Sequence, residues 1–387
     1  MSEATLARVE AHVFRTPIKE PVRTSFGTMT ERVAVFVCVE DSDGARGWGE
    51  VWCNFPTASA EHRALIFADI VAPRALGRSL DDPVALWGEI DRALHVLRVQ
   101  SGDAGALSAA AAGLDLAIHD LRARKRGLPL WRALSGIVGG GGDDRPVPVY
   151  GSGLNPGPGA FDTVERLRAA GYRAFKIKVG FGAATDLGTL RPVARALGDG
   201  ERLMVDVNQG WDLRTACTMA PKLAEFGLHW IEEPLAADRP MAEWAQVAAA
   251  APTQIAGGEN LRGAGSFQEM IDSGLFGTIQ PDAAKWGGHS GCAAVARAAL
   301  AAGRTYCPHF LGGALGLLHS LHLLAAVRGP GLLEVDANAN PLREGLLGDL
   351  LTVRDGAVSL PGGQGLGLEP NIKSLAPLRT LHLERHV

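Results

Sequence analysis

Residues 202–211 read RLMVDVNQGW, residues 229–235 HWIEEPL, and residues 254–261 QIAGGENL. Each is a short apolar run that meets an acid near its end and then gives way to a helical pattern, as at 215–226 after the first of them. The same unit recurs on both sides: VPVYGSG at 147–153, AFKIKVG at 174–180, TIQPDAAK at 278–285, RTYCPHF at 304–310 and LLEVDAN at 332–338. Further helical stretches fill 161–170 and 288–302. Eight strand–helix repeats predict an α/β chain built on a (β/α)8-type barrel.

Before the barrel, the chain reads as α+β. A strand near 7–14 precedes a hairpin, RVAVFVCVE then ARGWGEVW, closed by the Asp-Ser-Asp-Gly turn at 41–44. Helical patterns follow at 58–73, 83–96 and 104–124. The predicted division is 1–126 as an amino-terminal α+β capping domain, 127–345 as the barrel, and 346–387 as a carboxyl-terminal segment packing back on the cap. The glycine run Gly139–Gly142 is a linker, since no G-K-[ST] follows to make a phosphate loop.

Composition narrows the class of function. The 387 residues are 47% hydrophobic and 21% charged with net charge -4, and the two signs are mixed along the chain, which leaves no basic footprint for nucleic acid or a membrane surface. No run approaches a membrane span, and MSEATLARVEAHVF lacks a basic-then-apolar leader. The five cysteines form no C-x-x-C pair, as expected of reduced thiols in a cytoplasmic protein.

Ionisable groups fall near the ends of seven barrel strands: Lys178, Asp206, Glu232, Glu259, Asp282, His309 and Glu334, spaced 28, 26, 27, 23, 27 and 25 residues apart. The carboxyl-terminal mouth of this fold is where catalytic groups gather. An acid at one strand end can simply cap the next helix. Three acids on consecutive strands, Asp206, Glu232 and Glu259, would repel one another unless a cation sat between them. Oxygen ligands without His or Cys favour Mg2+ over zinc. Lys176 and Lys178, two apart on one strand, point the same way, so their mutual repulsion, with the nearby metal, should lower one ammonium pKa and make it a base. Asp282 and His309 on neighbouring strands form a second proton-transfer pair. His319, His322 and His119 read as structural.

At these residues the chain resembles the enolase superfamily, in its mandelate racemase branch, along nearly its whole length. The resemblance rests on K-x-K at Lys176 and Lys178, D-x-N at Asp206 and Asn208, I-E-E-P at 231–234 and G-G-E-N at 257–260. Q-P-D with a trailing G-G at 280–288, P-H at His309 and L-E at Glu334 complete it. It implies Mg2+ on Asp206, Glu232 and Glu259, with Lys178 and the His309–Asp282 pair as acid/base groups on opposite faces of the substrate. Glu334 would donate to the substrate carboxylate, and Lys176 would neutralise that carboxylate and tune Lys178. The muconate lactonizing branch has a lysine where Asp282 stands; Lys285, three residues on, has no assigned role.

The resemblance also places the cap over the barrel mouth. Segments 18–30 and 48–58 are then lid loops, with Arg23, Thr24, Phe26, Trp52, Asn54 and Phe55, together with Asn208, as substrate contacts. The implied activity is abstraction of a proton next to a carboxylate of a small molecule, by a homo-oligomer. Stretches 257–263 and 340–346 are most similar to acid-sugar dehydratases and sugar-lactone cycloisomerases, so dehydration is the leading expectation. Racemisation and cycloisomerisation stay open beside it. A non-catalytic carboxylate-binding barrel would tolerate losing site groups, and none is lost. A metallohydrolase would carry H-x-H where the first strand reads VYGSG.

Overall fold

The computed structural model describes residues 4–140 and 142–387. Residues 1–3 of the expected leader-free start and Gly141 of the expected linker lie outside them. An antiparallel sheet of β1 (Leu6–Arg23), β2 (Thr28–Asp41) and β3 (Arg46–Val51) begins the chain. Asp41 Oδ1 closes the second hairpin by accepting from the amides of Asp43 and Ala45 at 3.0 and 2.9 Å. Side chains alternate across this sheet. Val35, Val37, Val39 and Val51 join the core beneath the cap helices, whereas Phe14, Phe36, Cys38 and Trp48 join the core shared with the barrel.

The glycines of ARGWGE have a steric reason. A Cβ at Gly47 would stand 2.2 Å from the Ala117 carbonyl, and one at Gly49 would stand 2.4 Å from that of Gly113. Their absence lets the helix Ala104–Lys125 lie directly on β3. That helix starts at Asp103, whose carboxylate accepts from the Ala106 amide.

Segment 18–30 departs from the expected lid loop. It is the end of the β1–β2 hairpin, paired Val22 to Met29 and Arg23 to Thr28 and turned by a Thr24 amide to Gly27 carbonyl bond of 2.9 Å. Pro17 and Pro21 interrupt the alternation read from sequence; the ladder absorbs them in a register shift between Pro17 and Val22 and then resumes.

Eight parallel strands follow: β4 (Val147–Leu154), β5 (Ala174–Lys178), β6 (Arg202–Asp206), β7 (Ile231–Glu232), β8 (Ile255–Gly257), β9 (Phe276–Ile279), β10 (Thr305–Tyr306) and β11 (Leu333–Asp336). Each pairs with the next from β4 to β10, and β11 returns to the other edge of β4. The seam between β10 and β11 is crossed by Cys307 Sγ, which donates to the Leu332 carbonyl at 3.0 Å. A short hairpin, β12 (Val353–Arg354) and β13 (Ala357–Val358), lies antiparallel on β4. The last strand, β14 (Arg379–His386), pairs antiparallel with β1.

Two buried acids clamp the cap to the barrel mouth. Arg32 of β2 pairs with Asp336 at 2.7 Å, both almost fully buried. Glu50 of β3 accepts from the amides of Gly313 and Gly316 at 2.6 and 2.8 Å, in the segment after His309. Burial pushes the Glu50 carboxyl up to about 7.

Candidate active site

The mouth of the barrel holds a cavity of about 290 Å3 lined by Thr24, Phe26, Trp52 and Phe55 of the cap and by Ser152, Lys178, Asn208, Glu259, Lys285, His309 and Glu334 of the barrel, among others. Lys176, Asp206, Glu232 and Asp282 stand behind this lining, each 1–2% exposed. The structure therefore brings the seven strand-end groups and Lys176 together, as successive parallel strands require.

Each acid of the consecutive trio faces a cation of the chain. Lys178 Nζ lies 2.6 Å from Asp206 Oδ2, and Lys176 Nζ lies 2.5 Å from Glu232 Oε1 and 2.8 Å from Glu334 Oε1. Glu259 is met by Lys285 Nζ and by His309 Nε2, each at 3.0 Å. His309 Nδ1 is 2.7 Å from Asp282 Oδ2, and the other oxygen of Asp282 accepts from the Ala284 amide at 2.8 Å. That pair fixes the imidazole edge and leaves Nε2 facing the cavity.

Burial and pairing set the protonation. Desolvation pushes the Glu232 carboxyl up to about 7 even with Lys176 against it. Burial works against the His309 imidazolium, but Glu259 and Glu334 outweigh it and raise its pKa to about 10. Burial and Lys176 both act to lower the Lys178 pKa, as repulsion predicts, while the Asp206 carboxylate it faces at 2.6 Å raises it, a pairing that a cation on Asp206 would compete with. Against the cost of burial, Lys176 and His309 hold the Glu334 carboxyl down to about 2, and it accepts from the Ser152 hydroxyl at 2.5 Å and the Phe310 amide at 3.0 Å.

Of the expected cap contacts, Thr24, Phe26, Trp52 and Phe55 reach the cavity; two do not. Arg23 is exposed outside the lining, its amide donating to Asn155 Oδ1. Asn54 is buried, and its Nδ2 donates to the Leu311 carbonyl at 2.5 Å, pinning the cap to the segment after β10.

Other groups at the site had no role assigned from the sequence. Lys285 Nζ sits 4.4 Å from the Trp52 ring centre as well as against Glu259. Gln280 Nε2 donates to Glu232 Oε2 at 2.7 Å. Glu233, at φ 40°, accepts from Asn260 Nδ2 with both carboxylate oxygens at 3.0 Å, and Asn208 and Gln209 are also left-handed, at φ 47° and 63°. Gln280 and Glu233 sit inside the quoted Q-P-D and I-E-E-P motifs, which was their only signal. Arg63 and Arg262 also line the cavity, and neither is paired with a carboxylate among the described residues. Nothing in their sequence neighbourhood marks them.

Residues 160–374 match the enolase C-terminal domain-like family, and residues 8–135 match the mandelate racemase / muconate lactonizing enzyme N-terminal domain. The chain belongs to the enolase superfamily and is an enzyme of its mandelate racemase and muconate lactonizing group. Among solved structures it is similar to a mandelate racemase/muconate lactonizing enzyme from Bordetella bronchiseptica RB50, at 49% identity and a TM-score of 0.90 over 97% of this chain and 100% of that one. The L-talarate/galactarate dehydratase of Salmonella typhimurium LT2, solved with Mg and L-lyxarohydroxamate, is similar at 28% identity and a TM-score of 0.85, covering 100% of this chain and 95% of that one. The D-galactarolactone cycloisomerase of Agrobacterium fabrum is 28% identical over 97% of this chain and 98% of its own. Among the described residues, no helix is long and apolar enough to cross a membrane.

Proposed function

We propose that this enzyme removes the proton next to a carboxylate and that its net reaction is the dehydration of an acid sugar. The observation that carries the reading is the set of three buried acids on consecutive strands, in or directly behind the wall of one cavity lined by Lys178 and His309. Asp206, Glu232 and Glu259 offer only oxygen donors, and Asn208 Oδ1 beside them is buried without a partner, so the set suits Mg2+. When bound, Mg2+ stabilises negative charge developing on the substrate carboxylate.

The remaining work falls to side chains. Lys176, clamped by Glu232 and Glu334, keeps a fixed positive charge at the base of the site. Lys178 and His309 carry the protons: the one that is neutral when substrate is bound takes the α-proton, and the other, protonated, gives its proton to the β-hydroxyl as the C–O bond breaks. Water leaves, a C=C bond forms, and the enol becomes a 2-keto-3-deoxy acid. Arg63 and Arg262 add positive charge with no carboxylate partner to the same lining, which favours a polyhydroxy acid bearing a second carboxylate over a neutral tail. Similarity along nearly the whole chain to a galactarolactone cycloisomerase favours lactone isomerisation as the second reading, with a ring oxygen as the leaving group.

Incubation with mono- and dicarboxylic acid sugars is expected to yield 2-keto-3-deoxy products, faster from diacids. Chelation should abolish turnover and added Mg2+ restore it. Turnover in a verified metal-free sample removes the metal assignment. No keto product, with a lactone isomerised instead, establishes the second reading.

A further inference from the structure

Outside the lining of the active-site cavity, three potential metal ligands converge on the cap sheet. Glu10, His12 and His382 form a group whose ligand atoms all lie within 4.8 Å of one another, and it is the one such group of three found among the described residues. Glu10 and His12 are two apart on β1 and share a face, and His382 on β14 pairs directly opposite His12. The two imidazoles stack with centroids 4.5 Å apart and planes 6° from parallel.

The polar contacts of the group leave it incomplete. Arg8 and Arg46 hold Glu10 Oε1 at 2.9 and 2.7 Å. Glu10 Oε2 is left to the imidazoles, 3.2 Å from His12 Nε2 and 3.1 Å from His382 Nε2. His12 is 4% exposed; its Nδ1 is buried without a hydrogen-bond partner, and its Nε2 meets only Glu10 Oε2. A buried polar group left this way costs stability unless something binds it. Arg8 and Arg46 together face Glu10, Glu40 and Glu384, so the local network carries an excess of negative charge.

We propose that Glu10, His12 and His382 bind a transition-metal dication of the Zn2+ class, which fastens the carboxyl-terminal strand to the first strand. Two imidazole nitrogens and one carboxylate oxygen suit zinc and its neighbours, not Mg2+. Cys38, opposite Glu10 on β2, is buried and stands outside this group of three. The His382 side chain is 35% exposed, which gives its ring room to turn Nε2 toward the shared point.

The test uses the untagged full-length chain, stripped by chelator and held in saturating Mg2+ so that the barrel acids are occupied. Zn2+ titration should then show one further ion per chain and a rise in Tm, and Co2+ should give visible absorption bands. His382→Ala is expected to fold, keep its activity, lose at least about tenfold in Zn2+ affinity and lose the Co2+ bands; Glu10→Gln should do the same to the metal. Absence of Mg2+-resistant Zn2+ binding overturns the site. So does binding of unchanged affinity and spectrum in both variants.

Discussion

At the amino-terminal end of the barrel, Tyr150, Ala174, Met204, Trp230, Ala256, Cys307 and Leu332 pack into one apolar cluster. Two residues along the same strands, on the same inward face, stand Ser152, Lys176, Asp206, Glu232, His309 and Glu334. One step of the strand period thus separates a sealed floor from a charged mouth. The floor stabilises the fold, at roughly 1.5–3 kcal/mol for each large apolar side chain buried. The mouth does the reverse. Its lysines and acids are desolvated, and buried ion pairs of this kind seldom recover that cost. The difference teaches which end is kept for stability and which for chemistry, and Trp230 spans both: its ring lies in the floor, while its Nε1 donates to Glu232 Oε2 at 3.0 Å.

The sharpest way to break this division is to truncate one residue on each side. Lys178→Ala should lower kcat by about 10^3-fold, and in D2O it should lose α-proton exchange from one face of the substrate. His309→Asn should lose the opposite face. Neither should move the Tm of the Mg2+-loaded enzyme much. Met204→Ala, fully buried in the floor, should cost about 2–5 kcal/mol of stability, with kcat per folded molecule nearly unchanged. If Lys178→Ala costs as much stability as Met204→Ala, or if both exchange faces survive in both mouth variants, the division fails.

The mouth was the more legible end. Asp206, Glu232 and Glu259 advertise themselves because a charged residue ending an apolar strand is rare enough to need a reason. Their spacing is the length of a βα unit, so position along the chain converts directly into position around the ring. What sequence could not supply was the identity of partners. Two lysines on one strand predict mutual repulsion, but whether Asp206 faces Lys178 depends on the registration of β5 against β6, which sets Lys178 opposite Asp206. Asn54 and Arg63 lie close in sequence, yet one pins the cap to Leu311 and the other lines the cavity. Pro17 and Pro21 hid the β1–β2 hairpin, because a proline looks like a strand end until a bulge accommodates it.

A smaller effect tests how far the floor supports the mouth. Trp230→Phe keeps the ring in the apolar cluster and removes only the Nε1 donor to Glu232. Gln280 still donates to the same oxygen, so Glu232 is not left bare. The expected stability loss is about 1–2 kcal/mol, with Mg2+ affinity reduced a few-fold, as for an outer partner of a ligating acid. Titration of Mg2+ by calorimetry checks this. Unaltered Mg2+ affinity would show that Glu232 needs nothing from the floor.

The smallest effect lies above the mouth, at the hairpin tip. Phe26 is 59% exposed, so its side chain contributes little to the folded core, and Phe26→Ala should change stability by less than about 0.5 kcal/mol. Its ring nevertheless meets Phe55 edge-on, with centroids 5.0 Å apart and planes at 71°, and both rings line the cavity. At this exposure the pair sits at the low end of the roughly 0.5–1.5 kcal/mol that such contacts supply, and it joins two loops of the cap across the entrance. Losing it should therefore appear in substrate binding: KM rises about threefold while kcat stays put, because Lys178, His309 and the acids beneath are untouched. Steady-state kinetics on the best acid substrate would separate the two constants. A fall in kcat with constant KM would mean that the hairpin tip acts on the chemical step itself, and the boundary between cap and mouth would have to be drawn below Phe26.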